Sequence, residues 1–311
     1  MKSNPPRRAR PRPETGNARR PAKRVASPLV GAEALRSALD AGADIVLLDA
    51  SFELADPDAG RRAYLQGHVP GAQYADLERD LSGPKTARGP GFTGRHPLPS
   101  RETFAGTVGG WGIAPATRVV TMDRQGSPYA ARLWWLLRWL GHARVWVLDG
   151  GVSAWTDAGG ALWSDATPPR PPRAAYPCLP ASMPTLDAAA VTRALGVACL
   201  VDARAGERFR GEVEPLDAVA GHVPGALNRP FKDNFQAGST RFKPAAQLAA
   251  DFIALAGRRP PRETVHMCGS GVTACHNLLA MEAAGLPGAA LYPGSWSEWC
   301  ADAARPVARG G

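Results

Sequence analysis

The sequence lacks any apolar run of about 18 residues, so we expect no membrane-spanning helix. It is also poor in cysteine, with five scattered residues at positions 178, 199, 268, 275 and 300. An odd number without regular spacing argues against a disulfide framework and is typical of a reducing compartment, so we expect a cytoplasmic protein. The Cys268–Cys275 spacing matches no common zinc pattern, and no metal or organic cofactor is indicated.

Positive charge is concentrated at one end of the chain. Residues 1–24 hold nine of the 37 Lys/Arg residues and one of the 28 acidic residues, so the other residues carry only +1 of the formal +9. This Pro/Arg-rich stretch has almost no large apolar residue, which predicts a disordered basic tail over 1–25. It has no apolar segment of a secretory signal peptide. We therefore expect a solvated arm, with neither nucleic acid nor a membrane as partner.

The chain repeats itself. The hexapeptide "GHVPGA" occurs at 67–72 and again, letter for letter, at 221–226. "VVTMD" (119–123) is similar to "TVHMC" (264–268). These matches predict two copies of one unit of about 130 residues.

Each unit alternates short β-rich runs with helical stretches. That alternation predicts an α/β fold in which each unit is a mainly parallel sheet flanked by helices. We place the first domain at 26–165 and the second at 181–305, with a short tail at 306–311. The proline-rich segment 166–180 is predicted to be an extended linker between them.

One cysteine stands in an unusual place, in "TVHMCGSGVTACHN" (264–277). Val265 to Met267 is typical of a buried strand, and a helical pattern begins at Thr273. The glycines between them allow a sharp turn, and the start of a helix favours negative charge. This arrangement favours a thiolate, the nucleophilic form of cysteine, at Cys268. A buried cysteine that only packs at a strand end is the alternative.

Comparison of the two copies distinguishes these alternatives in part. Where the second unit has Cys268, the first has Asp123. One copy therefore has the nucleophile and the other lacks it, which favours a functional cysteine. In such sheets, ligands bind beyond the carboxyl ends of the strands, where Cys268 is predicted to lie.

Taken together, these motifs resemble those of the tandem-domain rhodanese sulfurtransferases over residues 26–305. The resemblance rests on the duplicated "GHVPGA", the closings "DGG…W" and "PGSWSEW", "RFRGEVEP" (208–215) and the loop "CGSGVTAC". The form Cys-Gly-Ser-Gly-Val-Thr is similar to the 3-mercaptopyruvate branch, because thiosulfate-using members usually carry charged residues after the cysteine. The resemblance implies a non-catalytic first domain, a catalytic second domain, an active site at their interface and a monomer.

The resemblance also implies a double displacement. Cys268 takes sulfur from a small-molecule donor as a persulfide, and a thiol acceptor such as a thioredoxin-like protein, or cyanide, removes it. The loop at Gly269, Gly271, Val272 and Thr273 is expected to hold the substrate sulfur with its N–H groups. We also expect the Thr273 hydroxyl to cap the helix.

Three side chains receive roles from the resemblance. Ser270 matches a loop serine that polarises the substrate carbonyl or relays a proton. Arg208 matches an arginine that binds the anionic end of the substrate, for which a planar guanidinium is well suited. His68 resembles a first-domain histidine near the active site and is expected to assist proton transfer. Its twin His222 is expected to be structural.

The sequence departs from the branch pattern at one place. A second arginine is usual shortly after Arg208, but the equivalent place in "EVEPLDA" holds Leu216. Either Arg204 or Arg210 replaces the missing arginine, or the affinity for the donor carboxylate is lower, or the donor is a different molecule. Thiosulfate therefore remains the alternative donor.

Two other classes of protein are less compatible with the residues. A cysteine-dependent phosphatase needs Cys-x5-Arg, and the sixth residue after Cys268 is Ala274. A non-enzymatic sulfur carrier would not need the intact glycine loop that follows Cys268.

Overall fold

The structure is a computed structural model that describes Met1 and residues 27–89, 91–164, 166–257 and 259–311. The predicted tail over 1–25 lies outside the described residues apart from Met1. No described helix is both long and apolar enough to cross a bilayer.

The first unit is a parallel sheet with five strands and helices on both faces. Its strands are β1 (Leu29–Val30), β2 (Ile45–Asp49), β3 (Ala72–Tyr74), β4 (Arg118–Met122) and β5 (Val145–Leu148). Its helices are α1 (Ala32–Asp40), α2 (Ala59–Gln66), α3 (Arg101–Gly110), α4 (Pro128–Trp139) and α5 (Gly151–Asp157).

The second unit is a parallel sheet with four strands. Its strands are β6 (Cys199–Asp202), β7 (Leu227–Asn228), β8 (Thr264–Met267) and β9 (Ala290–Leu291). Its helices are α6 (Ala188–Ala194), α7 (Gly206–Phe209), α8 (Ala245–Ala256), α9 (Thr273–Ala283) and α10 (Ser295–Trp299), with short 3-10 helices at Phe231–Asn234 and Pro261–Glu263.

The strand order confirms the internal repeat. The first sheet runs β1-β5-β4-β2-β3, and the second runs β9-β8-β6-β7 in the same sense. A parallel bridge between Thr185 and Leu291 stands where β1 lies in the first sheet. The predicted α/β class with parallel sheets is therefore confirmed. The central strands β2 and β8 are buried except for Ile45 at the start of β2, which explains the apolar runs in the sequence, because both faces of each sheet are covered.

The two units share one core. Helix α4 packs against α9, and Trp134 and Trp135 of α4 are almost completely buried. The apolar side chains of α4 and α9 belong to one continuous cluster. This packing sets the carboxyl end of β8, where Cys268 lies, against the first unit.

The duplicated hexapeptide does the same structural work in both units. His68 donates its Nδ1–H to the Tyr64 carbonyl (2.9 Å) and stacks on the Tyr64 ring. His222 bonds through Nδ1 to the Phe209 carbonyl (2.8 Å) and stacks on the Phe209 ring. Each histidine backbone also pairs with a returning segment, at Trp163 and Ala308 respectively. The motif thus fastens a turn to the preceding helix.

Candidate active site

Cys268 follows β8 directly and is 2 % exposed. Its N–H donates to Ser295 Oγ (3.1 Å), and its carbonyl accepts from the Trp296 N–H (2.9 Å). Helix α9 begins at Thr273, as the sequence predicts, so its N-terminus faces the loop. Because a helix N-terminus carries partial positive charge, it would stabilise negative charge on sulfur at this point.

The predicted cap at Thr273 is not formed. The residue before α9 is Val272, and no side chain caps the helix there. Thr273 is itself the first helical residue, which is one position too late for its hydroxyl to act as the N-cap. Thr273 and Val272 both line the cavity above Cys268.

The two loop glycines have different reasons to be glycine. Gly271 has φ +77°, and a Cβ there would fall on the carbonyl oxygen of Pro293. Gly269 has no such backbone constraint, but a Cβ there would lie 2.9 Å from Arg95 Nη2 and 3.6 Å from Arg208 Nη1. Gly271 therefore permits the turn, whereas Gly269 makes room for two guanidinium groups.

The matching loop of the first unit shows what this loop shape binds. Asp123 is fully buried, and its carboxylate accepts backbone N–H groups from Gln125, Ser127, Tyr129 and Ala130 at 2.7–3.0 Å. Burial raises the pKa of Asp123 to about 6, and the four N–H donors oppose that rise. At neutral pH an anionic carboxylate thus occupies this cradle.

In the second unit the cradle has no such internal anion. Among the described residues, no protein acceptor bonds to the backbone N–H groups of 269–274. The Cys268 side chain is shorter than that of aspartate, so it leaves these donors for an added atom. An outer sulfur on Cys268 would meet converging N–H groups.

Ser270 is held by a histidine from the first unit. The Ser270 Oγ lies 2.8 Å from His96 Nδ1, and His96 Nε2 lies 3.2 Å from Glu78 Oε1. His96 and Lys85, which also contacts Glu78, lower the pKa of Glu78 to about 2. Burial lowers the pKa of His96, so its imidazole is neutral at neutral pH. The ionised Glu78 therefore accepts from Nε2–H, and Nδ1 is left to accept the Ser270 hydroxyl proton.

His68, predicted from its motif, is not brought to this site. It bonds to the Tyr64 carbonyl and, through Nε2, to Thr167 Oγ1 (2.8 Å), and it does not line the cavity above Cys268. The first-unit histidine beside the loop is His96, in "TGRHPLP". The hexapeptide does not indicate a catalytic histidine, because it fastens a turn in both units.

Arg208 lies at the wall of the cavity. Its guanidinium bonds to Glu214 (2.6 Å from Nη2 to Oε1) and approaches Asp217 (3.7 Å). Asp217 also pairs with Arg95 of the first unit. The two carboxylates hold the guanidinium groups in place while part of each remains open to the cavity.

A cavity of about 220 Å³ connects these groups. Its size fits a small donor rather than a large cofactor. Its lining combines both units: Leu54, Leu77, Arg95, His96 and Tyr129 of the first, and Ala203, Arg204, Ala205, Arg208, Leu216, Phe231, Cys268, Gly269, Ser270, Val272 and Thr273 of the second.

A further first-unit residue supports the loop from behind. Arg132 of α4 is completely buried and donates to the carbonyls of Gly271 (3.2 Å) and His96 (3.2 Å). It therefore ties the cysteine loop to the histidine segment. Cys275, beneath the same loop, lies 3.3 Å from the Gly271 carbonyl, and burial raises its pKa to about 12. Cys275 is thus a packed thiol.

The sequence contains a signal that would have found His96. "TGRHP" (93–97) in the first unit corresponds to "TRFKP" (240–244) in the second, so Lys243 stands in place of His96. The two segments cross between units: Arg95 and His96 cover the Cys268 loop, and Arg241 lies against Gly150 of the first unit. The same kind of difference between copies that marks Cys268 also marks His96.

The chain is a tandem of two parallel α/β units. One unit carries a cysteine at a strand end, followed by a glycine-rich loop that leads into a helix. These features define the class of protein. The family model for the rhodanese-like domain matches residues 31–158 and 187–302. The chain belongs to the rhodanese family of sulfurtransferases.

Named relatives support both known donor types. The chain is 48 % identical over 270 residues to a Pseudomonas aeruginosa protein named "Probable 3-mercaptopyruvate sulfurtransferase", covering 86 % of this chain and 93 % of the relative. It is 35 % identical over 265 residues to the Bos taurus "Thiosulfate sulfurtransferase", covering 83 % and 86 %. The crystal structure of Escherichia coli SseA, described among 3-mercaptopyruvate sulfotransferases, is 30 % identical with a TM-score of 0.72, covering 88 % of this chain and all of that one.

Proposed function

We propose that this enzyme moves sulfur from 3-mercaptopyruvate to a thiol acceptor or cyanide through a persulfide on Cys268. The observation that carries the choice of donor is the hydrogen bond between Ser270 and His96. Mercaptopyruvate has a ketone whose oxygen gains negative charge during the transfer, and a placed hydroxyl can donate to it. Thiosulfate has no such oxygen at a carbon centre.

The first half-reaction is a displacement at sulfur. The Cys268 thiolate attacks the donor sulfur, an S–S bond forms and the C–S bond breaks. The electron pair remains on the donor as the enolate of pyruvate, whose oxygen accepts the Ser270 hydroxyl proton after that hydroxyl has turned away from His96 Nδ1. The proton that the donor thiol carried passes to the enolate carbon and releases pyruvate, and the sulfur stays on Cys268 as a persulfide in the N–H cradle of 269–274.

The second half-reaction regenerates the cysteine. A thiolate or cyanide attacks the outer sulfur, the S–S bond breaks, and Cys268 leaves as a thiolate. A thiol acceptor becomes a persulfide, and cyanide becomes thiocyanate. We propose a thioredoxin-like protein as the thiol acceptor, the cytoplasm as the compartment and a monomer as the working form.

Thiosulfate is the second candidate donor. Two guanidinium groups, Arg95 and Arg208, reach the space beside Gly269 and can attract a dianion. Ser270 and His96 would then have no charge to stabilise on a ketone oxygen.

Initial rates with both donors, for the wild type and Ser270→Ala, decide between the donors. We expect Ser270→Ala to lower kcat with mercaptopyruvate on the order of 100-fold, since a placed proton donor is worth roughly that factor. The same variant should change thiosulfate turnover by less than about 3-fold. Equal losses with both donors, or faster wild-type turnover of thiosulfate, would contradict the choice of mercaptopyruvate.

The persulfide is tested separately by mass spectrometry of the intact protein after incubation with the donor. We expect a gain of one sulfur atom, located on Cys268 and absent in Cys268→Ser. Cys275→Ser is the matched control, because Cys275 is buried beneath the same loop and should leave the gain unchanged.

A further inference from the structure

Helix α4 places one arginine beneath the Cys268 loop, outside the cavity. Arg132 is completely buried, and its guanidinium donates to the Gly271 carbonyl (3.2 Å) of the second unit. It also donates, at 3.2–3.5 Å, to the first-unit carbonyls of Leu81, His96 and Pro97. All of these acceptors are uncharged, so the hydrogen bonds leave the positive charge of Arg132 without a compensating anion.

Arg132 differs in this respect from other buried arginines of the chain. Arg204 and Arg229 are buried as well, but each pairs with a carboxylate, Asp202 and Asp251 respectively. Arg132 forms no ion pair with a carboxylate of the described residues, and its Nε has no hydrogen-bond partner among them. A buried cation without an opposite charge is costly, so an anion close to Arg132 would be stabilising.

The equivalent carbonyl of the first-unit loop is held by a neutral group. Gly126 is the counterpart of Gly271, because each stands three residues after the strand-end residue of its unit. The Gly126 carbonyl accepts from His276 Nε2 of α9 in the second unit (3.1 Å). Burial lowers the pKa of His276 to about 3, so this imidazole is uncharged at neutral pH. A neutral donor is thus sufficient to hold this carbonyl, and the charge of Arg132 needs another explanation.

The sulfur of Cys268 can supply the opposite charge. Among the described residues, the acidic groups whose charge acts on Arg132 are the thiols of Cys275 and Cys268. The Cys275 thiol donates to the Gly271 carbonyl (3.3 Å), and burial raises its pKa to about 12, so it stays protonated. Cys268 carries negative charge as a thiolate before it reacts, since the thiolate is the nucleophilic form. The anion that meets the charge of Arg132 is therefore on Cys268.

We propose that the Arg132 guanidinium is the buried counter-charge that stabilises the anionic sulfur of Cys268. Arg132 is a positioning residue, because it acts from beneath the loop and does not line the cavity that takes the donor. Its charge adds to that of the N-terminus of α9. The inference rests on the proposed function only for the persulfide, because the thiolate is present before a donor binds. The first unit thus contributes to the reactivity of a nucleophile that belongs to the second.

Other titratable and charged groups surround the same sulfur. Around the cavity and the loop they are Tyr129, His96, Cys275, Arg95, Arg204 and Arg208. Burial lowers the pKa of His96 and raises those of Tyr129 and Cys275, so these three groups stay uncharged between about pH 7 and about pH 10. The guanidinium groups stay charged. The carboxylates that pair with these arginines, Asp202, Glu214 and Asp217, ordinarily titrate well below that range.

The first test measures alkylation of Cys268 by iodoacetamide, an uncharged reagent that reacts with the thiolate, with the modified peptide quantified by mass spectrometry. We expect Arg132→Gln to slow alkylation on the order of 10-fold at about pH 7, because an opposite charge nearby favours the ionised thiol by such a factor. At about pH 10 the rate should lie within about 3-fold of the wild type, because ionisation no longer limits it. Arg132→Lys keeps the charge and should stay within about 3-fold at both pH values. His276→Gln, at the equivalent carbonyl of the other loop, is the matched control and should change neither rate.

A second pair of variants leaves Arg132 in place and decides the question if Arg132→Gln does not fold. Cys275→Asp puts a carboxylate beside Arg132, whereas Cys275→Asn has the same shape without the charge. We expect Cys275→Asp to be alkylated at Cys268 on the order of 10-fold more slowly than Cys275→Asn at about pH 7, because the added carboxylate neutralises the guanidinium. The two rates should converge at about pH 10.

The pH dependence separates charge from structure. Equal slowing of Arg132→Gln at both pH values would mean that the loop has changed shape or access, and this result would overturn the inference. An unchanged rate in Arg132→Gln at neutral pH, or equal rates in Cys275→Asp and Cys275→Asn, would overturn it as well. Alkylation requires no sulfur donor. If the wild type did not turn over mercaptopyruvate while alkylation followed the expected pattern, the proposed function would fail and this inference would stand.

Discussion

The loops at Asp123 and Cys268 occupy equivalent places in the two units, after β4 and β8 respectively. Both turn into a helix that packs in the shared core, α4 in one case and α9 in the other. The Asp123 loop closes on its own carboxylate through four backbone N–H groups. The Cys268 loop keeps its N–H groups for something added to the sulfur. The same backbone shape is thus used for stability in one unit and for chemistry in the other.

What covers each loop differs in the same way. A Cβ on Gly126 of the first loop would lie 2.8 Å from the Phe235 ring, and Phe242 stacks on His276 nearby (4.5 Å between centroids). The second loop is covered by Arg95 and His96, which leave a cavity. An aromatic plug closes one site, whereas a cation and an imidazole line the other. The two units share the backbone shape of the loop. The side chains that reach each loop from the other unit determine which of the two loops has an open cavity.

The largest expected effect comes from exchanging the two strand-end residues. Cys268→Asp should lose sulfur transfer by at least about 1000-fold, as when a nucleophile is removed. Its carboxylate should occupy the N–H cradle of 269–274, so we expect a thermal midpoint at or above that of Cys268→Ser. A midpoint well below that of the serine variant would mean that the second cradle does not accept a carboxylate.

The reverse exchange should not create a second active site. Asp123→Cys loses the acceptor of four N–H groups and should be destabilised by about 1–3 kcal/mol. On a Cys268→Ser background it should show no sulfur transfer and no sulfur gain by mass spectrometry, because Phe235 covers the first loop. Activity in this double variant would contradict the importance of the cover.

The next effect concerns the histidine that only one unit has. Glu78 raises the pKa of His96 through a hydrogen bond and its charge, while burial lowers that pKa overall. Protonated His96 would donate from Nδ1 to the Ser270 oxygen and leave the hydroxyl proton for the ketone oxygen, so turnover of mercaptopyruvate should rise on the acid side, below the ordinary histidine value of about 6.5. Glu78→Gln removes a group that raises this pKa, so the acid-side rise in turnover should move to lower pH.

Persulfide loading by thiosulfate provides a readout that does not require Ser270. The pH dependence of persulfide loading by thiosulfate on the acid side should not shift in Glu78→Gln. If the acid-side pH dependence shifted equally with both donors, or did not shift with mercaptopyruvate, Glu78 would not act through His96.

Substitutions of the two loop glycines should have smaller effects, one on stability and the other on binding of the donor. Gly271→Ala places a Cβ on the Pro293 carbonyl at positive φ, so we expect about 1–3 kcal/mol of destabilisation. Gly269→Ala meets only the ends of the Arg95 and Arg208 side chains, which can move. It should therefore raise KM while the free energy of unfolding, measured with denaturant, falls by less than about 1 kcal/mol. The reverse pattern would mean that the guanidinium groups do not converge at Gly269.

Much of this organisation could be predicted from the sequence, because it depends on local patterns. The duplicated hexapeptide, the strand before Cys268 and the helix from Thr273 all leave short-range signals. The difference between Asp123 and Cys268 needs only an alignment of the chain with itself. Cavity lining by Ser270 and Arg208 follows from motifs close to the loop or on the same domain.

The residues that reach the site across the interface leave no short-range signal in the sequence. Arg95, His96 and Glu78 lie more than 170 residues before Ser270 in the chain, and only the packing of α4 on α9 brings them to the loop. The sequence favours His68 instead, because a histidine in a repeated motif is conspicuous. Its ring, however, satisfies a local carbonyl four residues earlier. The repeated motifs identify the structure that the two units share. The residues of the candidate active site are those in which the two units differ.

The smallest expected effect tests that last distinction directly. His68→Asn and His222→Asn each lose a stacked ring and one hydrogen bond to a carbonyl, so each should cost about 1 kcal/mol of stability. Neither ring lines the cavity, so kcat/KM for mercaptopyruvate should stay within about 3-fold of the wild type. His96→Asn, measured alongside, should lose kcat on the order of 100-fold. A comparable loss of kcat in His68→Asn, with kcat unchanged in His222→Asn, would mean that His68 is a catalytic histidine. The two histidines would then differ in function although they make the same structural contacts.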